Sequence, residues 1–234
     1  MAPRRLPFWP RLTGAWLRFC LWFLAPVRIE GLENIPPRGP LLVIINHASN
    51  IDGMLLMAYV VPPMGRPMRW LGKEEALRWP FFGWVMKVNG VFAVRRAAGD
   101  LEAFRTARKV IDDGNVLAIF PEGSRSYDGA MQNAKEGATV LGVRSGAPIL
   151  PIAIVGSHRF WPRGKWPRPR RPMSVRIGPT FALSMAKGGD RAQALRAATA
   201  ELMGHIAELL PLEQRGVYAA AATPAETDAG RRDS

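Results

Sequence analysis

The sequence predicts an α/β fold: a mostly parallel central sheet flanked by helices, preceded by an N-terminal amphipathic, membrane-associating helical segment. Three observations point there. Short apolar, β-branched runs recur, the clearest being Leu41 to Asn46. Helical patterns separate most of them, and strands alternating with helices argue for a parallel sheet covered on both faces. Polar and charged residues gather just beyond several of these runs, at the carboxyl ends of strands, where open α/β sheets place their ligands.

The elements follow in order. Residues 1–30 are basic and aromatic, with Arg4, Arg5, Phe8, Trp9, Arg11, Trp16, Arg18, Phe19, Trp22 and Phe23. The apolar run from Ala15 to Val27 is broken by Arg18. It falls short of the roughly 20 mostly apolar residues a spanning helix needs. A signal peptide is disfavoured because the charge sits inside the apolar region and no A-x-A-like site follows. A helix lying in one leaflet is expected, with the alternative that it packs on the domain's own core. Gly31 to Pro40 reads as a linker.

Leu41 to Asn46 reads as a strand buried on both faces, and Asn50 as the cap of a helix from Ile51 to Val61. Met68 to Leu71 is a strand, and Gly72-Lys73-Glu74-Glu75 a helix start that continues through Phe81 and Trp84. Gly90 to Arg96 is a strand ending in two arginines. Asp100 to Asp113 is a helix stopped by Gly114, and Val116 to Phe120 is a further strand. Lys135 to Ser145 is helical, with Gly146 as its C-terminal cap. Pro148 to Val155 and Met173 to Ile177 are strands, and Asp190 to Leu210 is an amphipathic helix. Arg159 to Arg171 is basic and proline-rich, so neither a helix nor a central strand is expected. It reads as a nucleic-acid loop, a membrane-contacting loop or a solvated insertion. The α/β domain is placed at residues 31–212 and a disordered tail at 213–234.

The 234 residues suffice for one such domain. The net charge of +13 implies an anionic partner: a membrane surface, nucleic acid or a phosphorylated substrate. No nucleic-acid motif appears, so nucleic acid is not the expected partner. Cys20 is the only cysteine, which excludes a disulfide framework and a cysteine metal site. No His-rich metal spacing appears either.

His47 and Asp52 are five residues apart. On one helix they would point away from each other. Across a loop-to-helix junction the carboxylate can accept the imidazole N–H, which leaves the other ring nitrogen free to take a proton. Three strand ends present His47 with Asp52, Arg95 with Arg96, and Glu122 with Gly123 and Arg125. In a parallel sheet these converge at one edge, with Lys73 between the first two.

The motifs resemble those of the glycerolipid acyltransferases, the family that includes 1-acyl-sn-glycerol-3-phosphate acyltransferases. Asn46-His47-Ala48-Ser49-Asn50-Ile51-Asp52 is similar to its N-H-x4-D motif. Phe120 to Ser126 is similar to F-P-E-G-[ST]-R-S, Gly90 to Arg96 to the second motif, and Ile149 to Ala153 to the fourth. Arg95 stands where the second motif usually carries an acid. Lys73 resembles the lysine of a K-x-E-L-like segment.

The resemblance implies an enzyme moving an acyl group from acyl-CoA or acyl-carrier protein, as co-substrate, to the hydroxyl of a lysophospholipid, in phospholipid biosynthesis. It implies no cofactor and no metal. His47 would be the base, oriented by Asp52. Lys73, Arg96 and Arg125 would hold the phosphate, and Glu122 with Gly123 would place the glycerol. The expected location is the cytoplasmic face of the cell membrane, peripheral or monotopic. The alternatives are a different lysolipid or glycolipid acceptor, or a non-catalytic protein that binds anionic membranes.

Overall fold

The computed structural model describes residues 6–73, 77–78, 80–94, 99–186 and 188–220. Its chain runs α1 (Phe8–Leu24), β1 (Val27–Glu30), β2 (Leu41–Ile45), α2 (Asp52–Tyr59), α3 (Val61–Met64), β3 (Met68–Lys73), α4 (Pro80–Val88), β4 (Val91–Val94), α5 (Gly99–Asp112), β5 (Val116–Ile119), α6 (Glu136–Ser145), β6 (Ile149–Val155), α7 (Ser157–Phe160), β7 (Met173–Ile177) and α8 (Arg191–Leu209). The strands form one sheet in the order β1-β7-β6-β2-β5-β3-β4. The five strands β2 to β6 are mutually parallel. β7 joins β6 antiparallel, and β1 joins β7 parallel.

β2 lies at the centre because its side chains are apolar in both directions. Leu41, Val43 and Ile45 enter one core layer with Leu55 and Leu56 of α2 and Leu17 and Leu21 of α1. Leu42 and Ile44 enter the other with Ile111 of α5, Leu141 of α6 and Leu202 and Ile206 of α8. All five β2 side chains are fully buried. Each is worth roughly 1.5–3 kcal/mol relative to exposure. A polar residue at any of them would break one of the two layers.

α1 packs one face on the domain's own core and leaves the other exposed. One face, with Pro10, Thr13, Gly14, Leu17 and Leu21, is buried. Gly14 permits the close approach: a Cβ there would lie 2.8 Å from the Met57 carbonyl oxygen. The other face carries exposed Phe8, Trp9, Trp16, Phe19, Trp22 and Phe23. None of the described helices is long and apolar enough to cross a membrane.

Several expectations need correction. β1 falls inside the segment read as membrane-associating, where four residues with two charges give little strand signal. The Gly31–Pro40 linker is held down by the Arg66 guanidinium, which donates to the carbonyls of Gly39 and Pro36. Asn50 caps nothing; Ile51 occupies the N-cap of α2, without a side-chain bond. Lys73 ends β3 rather than opening a helix. Arg4, Arg5, residues 74–76 and the tail beyond 220 lie outside the described residues. The first part of the expected tail, 213–220, is instead structured: Leu212–Gln214 and Gly216–Tyr218 are single 3₁₀ turns packed on the body.

Candidate active site

Parallel strands all end at the same edge, so β2, β5 and β3, adjacent in that order, deliver their loops side by side. Beyond β2, Asn46 is buried and bonded to the neighbouring strand. Its Nδ2 donates to the Ile154 carbonyl at 3.0 Å, and its Oδ1 accepts the Ile154 N–H at 2.7 Å. The chain then turns, and His47 Nδ1 meets Asp52 Oδ2 at 2.9 Å. The same oxygen accepts the N–H groups of Ala48 and Ser49, each at 2.8 Å. Asp52 is wholly buried, whereas the His47 side chain is 21% exposed. Three donors thus converge on one carboxylate oxygen. They also set the imidazole so that Nδ1 carries the hydrogen and Nε2 is left as acceptor.

The loop after β5 grips His47 from three sides. Phe120 stacks on the imidazole with ring centroids 4.0 Å apart. Glu122 Oε1 accepts the His47 backbone N–H at 2.7 Å. Ser126 donates its backbone N–H to the His47 carbonyl at 2.9 Å. The second Glu122 oxygen accepts the Gln132 N–H at 2.8 Å. Both oxygens of this buried carboxylate therefore hold backbone, one tying the loop after β2 to the loop after β5 and the other closing the loop after β5 on itself. Glu122 thus has a fastening role beside the glycerol contact expected of it. Burial raises its pKa to about 7, with the nearby Asp52 charge adding to the rise and the two backbone donors opposing it.

Gly123 adopts φ +69°, and the Lys135 side chain covers it, with Cε 2.9 Å from where a Cβ would stand. Lys135 was not among the expected site residues. Its position just before α6 gave no signal beyond a helix start. The Arg125 backbone carbonyl accepts from Arg163 Nη1 at 2.7 Å, and the Arg163 guanidinium lies 4.0 Å over the Tyr127 ring. The guanidinium of Arg125 and the ammonium of Lys135 have no ion pair or hydrogen bond among the described residues. Both are thus available to an anionic group. Lys73 ends the next strand, but its side chain is not described; Arg95 and Arg96 lie outside the described residues. Among the described residues no group of three or more His, Cys, Asp or Glu is placed to hold a metal ion.

The C-terminal turns brace this arrangement from behind. Gln214 is buried; its Oε1 accepts from the Gly156 N–H at 3.2 Å and its Nε2 donates to the Gly129 carbonyl at 3.3 Å. Its own carbonyl accepts from Met131 N–H. Tyr218 Oη accepts the Ala134 N–H at 3.0 Å. The loop supplying the Gln132 donor is therefore fixed at several points. The Arg159–Arg171 segment is also folded in. The Trp161 carbonyl accepts from Ser49 Oγ at 2.8 Å, and Arg168 N–H reaches the Phe160 carbonyl at 2.6 Å.

Fold and site together define an α/β protein whose mostly parallel sheet carries a histidine–aspartate pair at its carboxyl edge, clasped by the loop after β5. Residues 26–155 match the family described as Acyltransferase, and the chain belongs to that family. It is 32% identical over 223 residues to a 1-acyl-sn-glycerol-3-phosphate acyltransferase of Pseudomonas aeruginosa, covering 90% of this chain and 83% of the relative. It is also 32% identical over 197 residues to a 1-acyl-sn-glycerol-3-phosphate acyltransferase of Chlamydomonas reinhardtii, covering 80% of this chain but 58% of that longer relative. Among solved structures it resembles the 1-acyl-sn-glycerophosphate (LPA) acyltransferase PlsC from Thermotoga maritima. That match has a TM-score of 0.67 at 26% identity and covers 82% of this chain and 76% of the other.

Proposed function

We propose that the chain transfers a fatty acyl group from an acyl thioester to the free hydroxyl of 1-acyl-sn-glycerol-3-phosphate, giving phosphatidic acid. The observation that carries this reading is the His47–Asp52 pair, with the imidazole held on its backbone by Glu122 and Ser126. Its support is the name shared by the sequence relatives and the solved neighbour.

The thioester is already activated, so the alcohol is the partner needing help. His47 Nε2 takes the hydroxyl proton as the oxygen bonds to the thioester carbonyl carbon. Asp52 stabilises the imidazolium, and the Phe120 ring face adds a weaker cation–π contribution. The tetrahedral intermediate collapses, the C–S bond breaks, and the leaving thiolate takes the proton from His47. A positioned base of this kind contributes about 10²–10⁴-fold. Arg125 and Lys135, together with the expected Lys73 and Arg96, hold the acceptor phosphate. Acyl-CoA and acyl-carrier protein both present the required thioester.

The exposed aromatic face of α1 suits seating the protein at a membrane interface, as a peripheral protein on the cytoplasmic side. The purified His47→Ala variant, assayed with lysophosphatidate and both donors, tests the chemistry. Loss of turnover with an unchanged circular-dichroism spectrum is expected. Retained turnover in a folded variant would overturn the reading.

A further inference from the structure

A groove of about 820 Å³ opens between the carboxyl-terminal half of α1, the start of β1, the end of α2 and the basic loop before β7. It shares no residue with the constellation around His47. Its apolar wall is Phe19, Trp22 and Phe23, exposed at 63%, 72% and 63%. Its polar side chains are Arg18, Tyr59 and Arg170, and none of the described residues lining it is an acid. Arg18 is already set in place: Nε and Nη2 both donate to the Ala58 carbonyl, and the guanidinium lies 5.6 Å from the Tyr59 ring centroid. That leaves Nη1 without a protein partner among the described residues. The Arg170 guanidinium has none either.

Arg170 is also the one described non-glycine residue with positive φ, at 62°. Its N–H donates to the Leu24 carbonyl at 2.7 Å, which pins the loop to the end of α1 in this conformation. A β-carbon is disfavoured in this backbone region, where glycine is the natural occupant. An arginine standing in that conformation points to a task for its side chain.

We propose that this groove binds one anionic phospholipid, separate from the reacting acceptor and donor, with its phosphate between Arg18 and Arg170 and an acyl chain along Phe19, Trp22 and Phe23. Paired guanidiniums suit a phosphate, and the contiguous rings suit a chain rather than a free ion. The volume is in the range of small-ligand sites, about 300–1,000 Å³. The loop that ends at Arg170 begins at Trp161 and Arg163, which touch Ser49 and Arg125, so the bound lipid sits at the far end of a segment braced against the reacting residues. This inference rests on the membrane-surface reading of α1.

The test is calorimetric titration of the full chain with dihexanoyl-phosphatidylglycerol, dihexanoyl-phosphatidylcholine and inorganic phosphate, each lipid kept below its aggregation threshold. Saturable one-to-one binding is expected for phosphatidylglycerol alone. Arg170→Gly should weaken it roughly tenfold or more, the scale of one charge-assisted hydrogen bond. Its thermal midpoint should not fall, since glycine suits the backbone, and Arg170→Asn repeats the charge removal. Lys165→Gln, a charge-matched control in the same loop, and Arg125→Gln in the reacting site should bind as wild type. Unchanged binding by Arg170→Gly, loss on Arg125→Gln, or equal binding of phosphatidylcholine or inorganic phosphate would each overturn the proposal. Flotation on phosphatidylcholine vesicles reads the α1 face separately. A protein that floats but fails the titration keeps the membrane reading and loses this one.

Discussion

The Glu122 carboxylate accepts the backbone N–H of His47 at 2.7 Å, so the residue that ends one strand's loop sets the height of the residue that ends another's. The two sequence motifs are thereby one mechanical unit. Phe120 stacks on the same imidazole and Ser126 returns a bond to the same residue.

The burial that lifts Glu122 to about 7 has a consequence for pH. The folded state holds this proton more tightly than the unfolded chain, whose carboxyl titrates near 4.5. Its stabilising contribution is complete below about pH 4.5 and is lost as pH rises through about 7. The slope does not exceed about 1.4 kcal/mol per pH unit. Glu122→Gln should remove this component, measured as the difference in unfolding free energy between the two proteins across that range. The amide must also turn its NH2 toward one backbone donor, so a loss of about 1–3 kcal/mol is expected at low pH. Parallel pH profiles for the two proteins would contradict the assignment.

Asp52 separates charge from scaffolding. Asp52→Asn can keep one oxygen for the Ala48 and Ser49 N–H groups and the Nδ1 hydrogen alike, but removes the charge that stabilises the imidazolium. The expected result is a drop in kcat of about 10²–10⁴ with a modest shift in Tm. Asp52→Ala should lose activity and also about 1–3 kcal/mol for each donor left unpaired in the buried loop. Steady-state kinetics and thermal melts of both variants distinguish the two contributions.

Lys135 and Gly123 should fail together. Lys135→Gln removes a cation from the proposed phosphate site and is expected to raise KM for the phosphate-bearing acceptor roughly tenfold with little change in kcat. Gly123→Ala places a methyl where the Lys135 stem lies, so it should reproduce that KM effect. It adds a backbone cost of about 1–2 kcal/mol at positive φ. A double variant no worse than Lys135→Gln in KM would show that both act through one displaced ammonium.

Gln214 acts at a distance through the loop behind Glu122. Gln214→Met keeps the volume but frees the Gly156 N–H and the Gly129 carbonyl. The expected outcome is lower kcat and faster hydrogen exchange at the Gln132 amide, whose partner is Glu122. Unchanged exchange there alongside lower stability would assign Gln214 a purely structural part.

Much of this was legible in the chain. Leu41 to Ile45 announced a strand with two buried faces because every side chain is apolar, and Met173–Ile177 was bounded correctly by its flanking proline and glycine. The geometric pairing of His47 with Asp52 followed from the turn between them. What escaped were features made by contacts distant in sequence. β1 is a strand only because β7 offers it a ladder. Nor does a sequence show that backbone donors from the loop after β2 and from further along its own loop meet the Glu122 carboxylate. Lys135 and Gln214 carry no local signature at all; folding alone brings them to the same loops.

The paired bonds between the Asn46 side chain and the Ile154 backbone have a further meaning. The amide imitates a peptide group, so one side chain adds a final rung between the two central strands where the main chain has already begun to leave. Sliding either strand by one step would break both halves of that rung, and an aspartate there would set oxygen against oxygen. The histidine is the very next residue, anchored one covalent link from a rivet. Its placement above the sheet is therefore inherited from strand alignment rather than from the looser course of the loop.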